Sequence, residues 1–266
     1  MRFLFFTALL LVLTFACKDR SEPLAENTAQ ATTANPAAEG FNEEESDAKA
    51  IEWADKVMAA MGGRVSWDTT RYFHWNFFGR RTLLWDKQGK RVRIDSPFDS
   101  TTYLVNLAEG TGKVKKGDQV FENADSIATY VDRGRRIWIN DSYWLVMPFK
   151  LKDSGVTLSY VGQDTTLEGK VAEVLALTFE EVGVTPQNKY LVYVDPGTDL
   201  VCQWDFYTKA DDEAPRFAMP WKGYQAHGDL QLSGDRGKPQ LSDIAVFQSV
   251  PDQAFESFDA IDITQW

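Results

Sequence analysis

The residues that could do chemistry are few and poorly spaced for it. The chain has two histidines, His74 and His227, and two cysteines, Cys17 and Cys202. None stands at the spacing of a zinc site, which groups three or four Cys, His or carboxylate donors, so no metal is expected. There is no Gly-x-Ser-x-Gly nucleophile elbow. Gly110-Thr111-Gly112-Lys113 looks in part like a phosphate loop. However, Leu107 stands where the first glycine belongs, and Val114 follows the lysine in place of Ser or Thr. A hairpin turn is the better assignment. The 39 acidic residues always allow some pair of carboxylates to be nominated for acid/base work. Asp195, Asp199, Asp211 and Asp212 fall in turn-like or solvated stretches. Asp205 alternates with apolar neighbours and reads as a half-buried rim carboxylate. No catalytic residue and no cofactor is expected.

The aromatic surplus says more. There are nine tryptophans, and aromatic residues make up 13% of the chain. Such side chains are either packed together or used for binding. Phe73, Trp75, Phe77, Trp85, Tyr103, Trp204 and Phe206 fall on strand faces. Trp144, Leu145 and Met147 fall in a short apolar run from Tyr143 to Leu151. These ten residues are the candidate lining of a hydrophobic cavity, with the run as its plug or lid. The competing reading is that they fill each other's space.

The elements that would position them are mostly strands. Ile51, Ala54, Met58 and Met61 mark an amphipathic helix, stopped at Gly62-Gly63. Thr70 to Phe78, Arg81 to Lys87, Arg91 to Asp95 and Thr101 to Leu107 alternate apolar and polar residues between turns, which reads as an antiparallel meander. Asn123 looks like an N-cap, opening a helical insertion over 123–147. Asn140-Asp141-Ser142 are placed to cap a second short helix within it. Pro148 ends any helix there. Strands resume at Val156 and include a hairpin around Asp195-Pro196-Gly197-Thr198-Asp199. The expected fold is mainly β. It is a single strongly curved antiparallel sheet of about ten or eleven strands, an unclosed half-barrel with an N-terminal helix and a helical insertion.

The ends set the address. Met1-Arg2 and the apolar run Phe3 to Phe15 make a signal peptide over 1–16, too short for the ~20 residues of a spanning helix. Ala16-Cys17 resembles the lipobox of bacterial lipoproteins, in which the cysteine becomes the lipidated first residue, although Thr14 stands at the aliphatic position. A secretory signal cleaved nearby is the other reading. Residues 18–46 hold almost no large apolar side chains and read, with Cys17, as a disordered linker. The domain follows over 47–266. The net charge of −11 argues against nucleic acid as a partner. Cys202, alone after lipidation of Cys17, reads as a buried structural thiol.

The order of helix, strands, helical insertion and strands resembles the periplasmic lipoprotein carriers of the Lol system. Trp138-Ile139-Asn140 with the run from Tyr143 to Leu151, and Val192 to Pro196 leading into Trp204 to Tyr207, resemble uncharacterised secreted bacterial proteins related to that fold. The resemblance covers residues 47–250. It implies the half-barrel, but the arginine and loops with which the Lol carriers handle acyl chains are not placed in this sequence, so the carriage activity is not carried over. The expectation is a monomeric, non-enzymatic lipoprotein of a Gram-negative cell envelope, anchored at Cys17. It would bind a lipid, an acyl chain, another hydrophobic small molecule or a lipidated protein. The alternatives are an interaction module with a fully packed core and an envelope glycan hydrolase using paired carboxylates.

Overall fold

A computed structural model describes residues 34–180 and 186–266. The signal peptide, Cys17 and residues 18–33 of the expected linker lie outside the described residues. Residues 35–46, assigned to that linker by composition, are docked on the domain. The N–H groups of Ala38, Asn42 and Asp47 donate to the carbonyls of Lys152, Val156 and Leu158 at 2.9, 3.1 and 2.8 Å. A polar strap needs little apolar surface when its backbone satisfies a strand edge.

Helix α1 (Ala48–Ala60) puts Ala50, Trp53, Ala54, Val57 and Met58 on one buried stripe. It stops at Gly62, whose φ is +110°; a Cβ there would lie 2.1 Å from the Asp229 carbonyl oxygen. A second helix, α2 (Gly63–Thr69), starts at once, behind what the sequence shows only as a stop signal.

The first strands are β1 Tyr72–Phe77, β2 Arg81–Asp86, β3 Arg91–Ser96, β4 Thr101–Asn106, β5 Thr111–Lys116 and β6 Gln119–Val120. Helix α3 (Ala124–Val146) follows, with Asn123 as its cap; the Asn123 side chain accepts from the Ser126 N–H. α3 runs unbroken through Asn140-Asp141-Ser142, because the Asp141 carboxylate is buried against Arg81 at 2.7 and 2.9 Å rather than capping a new helix. Then come β7 Val156–Thr165, β8 Val171–Phe179, β9 Lys189–Val194, β10 Val201–Tyr207, β11 Phe217–Pro220, β12 Lys222–His227, β13 Leu230–Asp235 and β14 Leu241–Phe247. A short helix, α4 (Gln253–Glu256), lies near the C-terminus.

The mainly β, antiparallel and unclosed architecture with helices agrees with the sequence. In detail, hydrogen bonding divides fourteen described strands into three sheets rather than one. Sheet A has the order β14-β1-β2-β3-β4-β5-β6, sheet B the order β11-β10-β9-β8-β7, and sheet C pairs β12 with β13. β11 and β12 part at Trp221, and β14 returns from far along the chain to pair with β1. Among the described residues, no helix is long and apolar enough to cross a membrane.

On the core face of sheet A, Phe73 pairs with Trp85, Trp85 with Val92, Ile94 with Tyr103, and Tyr103 with Val114. Helix α3 lies across this face. It approaches closely at Gly134, where a Cβ would stand 3.1 Å from the side chains of Tyr103 and Val105. On the opposite face, Tyr72 and Leu84 pack with Val250, Ala254 and Phe255 of the C-terminal segment.

Candidate functional site

The structure brings nine of the ten predicted cavity residues together in one core cluster. Phe73, Trp75, Phe77, Trp85, Tyr103, Leu145, Met147 and Trp204 are all buried members of one core cluster, and Trp144 packs on it half-buried. Phe206 is half-buried, with its ring 5.1 Å from that of Phe217 and 5.2 Å from that of Tyr190. Trp144 stands edge-on to Trp204 at 4.7 Å, and Tyr190 stacks on Trp204 at 5.2 Å. Such ring pairs are the usual packing of aromatic cores. The plug extends α3 through a 3-10 turn, Met147–Lys150, in which Met147, Pro148 and Phe149 are buried.

Arg236 holds the plug from beneath and carries no sequence signal beyond an arginine in a Gly-Asp-Arg-Gly turn. It is 1% exposed. Its Nη2 donates to the Trp144 carbonyl at 2.7 Å and to the Ser233 carbonyl at 3.0 Å; its Nη1 donates to Ser233 Oγ and the Asp235 carbonyl at 2.8 and 2.9 Å. The guanidinium lies 3.4 Å from the centroid of the Trp221 ring. Burial pushes its pKa down to about 9, since carbonyls and a ring offset only part of the lost hydration.

A cleft of about 250 Å³ opens where the β7–β8 hairpin tip meets β10 and the Pro220–Lys222 segment. Leu167, Val171, Leu200, Val201, Cys202 and Trp221 form most of its apolar lining, and Glu168 and Lys222 are paired at its rim. The tip is folded over sheet B by the Leu167 N–H, which donates to Gln203 Oε1 at 2.7 Å. Leu167 remains 63% exposed and Val171 57% exposed. None of the ten predicted residues lines this cleft. The spacing of strand residues cannot reveal it, because its walls combine a hairpin tip with strands distant in sequence; its one sequence trace is a leucine among turn residues in Thr166-Leu167-Glu168-Gly169.

Cys202 is half-buried at a bulge in β10 rather than fully enclosed. Burial raises its thiol pKa to about 11, so at neutral pH it stays a protonated, poorly nucleophilic group. Asp205 lies on the outer face of sheet B, where Cys202 packs with Ala172, Val174 and Tyr193. Its carboxylate accepts from Gln203 Nε2 at 2.9 Å and from the Tyr193 hydroxyl at 3.1 Å. Burial pushes its pKa up, the two donors pull it down, and Asp164 raises it further. His74 is buried with its Nδ1 2.7 Å from the Asp243 carbonyl, and His227 ends β12. Among the described residues, no group of three His, Cys, Asp or Glu is placed to hold a metal.

Residues 112–230 match the family described as "Family of unknown function (DUF6503)". This span holds α3, the plug, sheet B and the cleft. No curated protein matches the chain. Among solved structures, the chain is similar to a DUF1329 family protein from Desulfovibrio piger at 14% identity and a TM-score of 0.42. That match covers 77% of this chain and 96% of the other. It is also similar to MucB at 16% identity and a TM-score of 0.24, over 71% of this chain and 66% of the other. For MucB in complex with MucA(peri) the values are 14% and 0.25, over 78% and 59%. Similarities this distant carry no function across.

Proposed function

We propose that the chain is a non-enzymatic binding module of the bacterial cell envelope, held at a membrane through lipidated Cys17 and recognising a partner protein from the sheet B side. One observation carries this reading. Nine of the ten aromatic and apolar side chains that could have lined a cavity pack into one core cluster, whereas Val161, Leu167 and Val171, all on one hairpin, remain exposed. The cleft at that hairpin supports the same reading. At about 250 Å³ it lies below the ~300–1,000 Å³ of pockets that enclose a drug-sized ligand. It fits a partner's apolar side chain better than a diacyl lipid. The absence of a nucleophile motif from the sequence and the raised pKa of Cys202 favour binding over catalysis.

A second reading keeps the Lol-like role, with an acyl chain or lipidated segment entering the core beneath the plug. One observation favours it. Among the described residues, the indole N–H groups of Trp75, Trp138, Trp204 and Trp221 and the hydroxyls of Tyr103 and Tyr143 are buried without hydrogen-bond partners. Such orphans are uncommon in folded proteins, and the ester or amide carbonyls of a lipid would satisfy them. Native mass spectrometry of the full chain purified from envelopes separates the two. The interaction module predicts the polypeptide with its own Cys17 modification and nothing more. A further lipid at stoichiometric occupancy overturns it in favour of the acyl-chain reading.

A further inference from the structure

The edge of sheet B is covered along half its length and open along the rest. β7 is the outermost strand of that sheet. Up to Tyr160 its outward groups are taken by the chain's own strap. Asn42 and Asp47 N–H donate to the Val156 and Leu158 carbonyls, Ser46 Oγ accepts from Leu158 N–H at 3.0 Å, and the Asp47 carboxylate accepts from Tyr160 N–H at 2.8 Å. A bulge follows at Val161, between the pairs Tyr160–Leu175 and Gly162–Val174. The ladder phase is fixed before the bulge by the Glu180 N–H donating to the Gly155 carbonyl and beyond it by the Thr166 N–H donating to the Lys170 carbonyl. Alternation then turns Gly162 and Asp164 toward β8 and leaves the backbone groups of Gln163 and Thr165 facing outward. Thr165 N–H finds its own neighbour, Asp164 Oδ1, at 2.7 Å.

Natural sheets blunt such edges with lysine or proline. Residues 153–169 contain no lysine, arginine or proline. Val161 is 57% exposed, and the open stretch leads directly into Leu167 and the cleft. Charge is also one-sided. The β7–β11 span, residues 156–220, carries eleven acidic against four basic side chains, whereas the β1–β6 span, residues 72–120, carries five against nine.

We propose that β7 residues 161–165 form a strand-addition site for an extended, basic segment of a partner protein, with an apolar side chain of that segment seated in the Leu167–Trp221 cleft. Backbone pairing to Gln163 gives the register, the cleft gives the anchor, and the acidic half of the molecule attracts the basic residues. The assignment rests on the binding-module reading and names its surface and the chemistry of its partner.

The test uses the full-length lipidated chain in neutral phosphatidylcholine nanodiscs, with empty nanodiscs as baseline. The probe is a fluorescent synthetic peptide alternating lysine and leucine, read by anisotropy. Saturable binding is expected, weakened about tenfold or more by Gln163→Pro, which removes an outward N–H, and by Leu167→Lys, which fills the cleft mouth with charge. Val161→Lys leaves the β8 ladder intact and serves if the proline variant fails to fold; it too is expected to weaken binding. A peptide methylated on alternate backbone nitrogens is expected not to bind. Undiminished binding of that peptide, or of the probe to both lysine variants, overturns strand addition. Equal binding of a glutamate–leucine peptide overturns the basic partner. Absence of all peptide binding overturns the site; if native mass spectrometry at the same time finds no lipid, the binding-module reading still stands.

Discussion

Sheets A and B share the core but differ in what covers their other surfaces. The outer face of sheet A is sealed by the C-terminal segment, and one buried arginine fastens it. Arg93, 3% exposed, donates to the carbonyls of Ala254, Ser257 and Asp259 at 3.3, 2.9 and 2.9 Å and pairs with Asp95 at 2.7 Å. Around it, Arg71 and Arg91 hold the buried Asp86 at 2.8 and 2.9 Å. Sheet B has a lighter fastening. Its edge is tied by backbone groups of the strap over 156–160 and left open beyond. The difference teaches where this molecule invests stability and where it keeps surface free: buried arginines lock one sheet, whereas single bonds from the strap hold only part of the other's edge and leave the rest available.

The largest expected effect lies on the sheet A side. Arg93→Ala leaves three carbonyls and Asp95 without their donor, and loss of about 3 kcal/mol is expected from breaking so buried a cluster. Urea unfolding should show it, together with faster amide exchange over 250–259. A loss below about 1 kcal/mol, the net worth of one ordinary hydrogen bond, would mean that the C-terminal segment is held by Tyr72, Leu84 and Phe255 packing instead. Arg236→Met comes next. That arginine has no carboxylate partner among the described ion pairs, so removing it also removes a charge that is costly to bury. The net loss expected is about 1–2 kcal/mol, read as a lower unfolding midpoint with a shift in tryptophan emission from Trp221 and Trp144. An equal or greater loss than in Arg93→Ala would erase the contrast between the two arginines.

The side chains that form the core were legible from alternation, and for a physical reason. A period of two places Phe73, Trp75 and Phe77 on one face of any strand, and that face was bound to be buried. Asn123 was legible as a cap because its chemistry is local. The division into three sheets was not, since β14 pairs with β1 across about 170 residues of chain, a distance no local pattern spans. The strap over 35–46 was missed because its polar composition resembles a linker while its backbone does the binding. The cleft and Arg236 were missed because each depends on segments distant in sequence meeting in space. Whether the aromatic face would be hollow or filled also lay beyond the pattern, because periodicity fixes which face a side chain takes and not what lies opposite.

On the sheet B side, Asp47→Ala tests the lighter fastening. The carboxylate is exposed and accepts one N–H, from Tyr160, so a loss of about 1 kcal/mol is expected. Amide exchange at Tyr160 should rise toward the rate at Gln163. If Gln163 is already as protected as Tyr160 in the unchanged protein, the open edge does not exist.

The smallest effect is electrostatic, and its sign differs between the sheets. Burial lowers the pKa of His74, on the outer face of sheet A, from 6.5, outweighing the Asp243 carbonyl that favours its charged form. Its neutral form is therefore favoured by folding. The stability it contributes is complete above pH 6.5 and is lost as the pH falls below that value. Burial raises the pKa of Asp205, on the outer face of sheet B, above 3.8. Its protonated form is favoured by folding, so its contribution is complete below pH 3.8 and is lost as the pH rises through its folded value. Between pH 7 and 5, unfolding midpoints should fall with acid, and His74→Gln should flatten that fall. Asp205→Asn should leave this upper part of the profile alone and reduce the acid-side gain nearer pH 4. A fall as steep in the first variant as in the unchanged protein, or an undiminished acid-side gain in the second, would show that the sheets do not titrate in opposite senses.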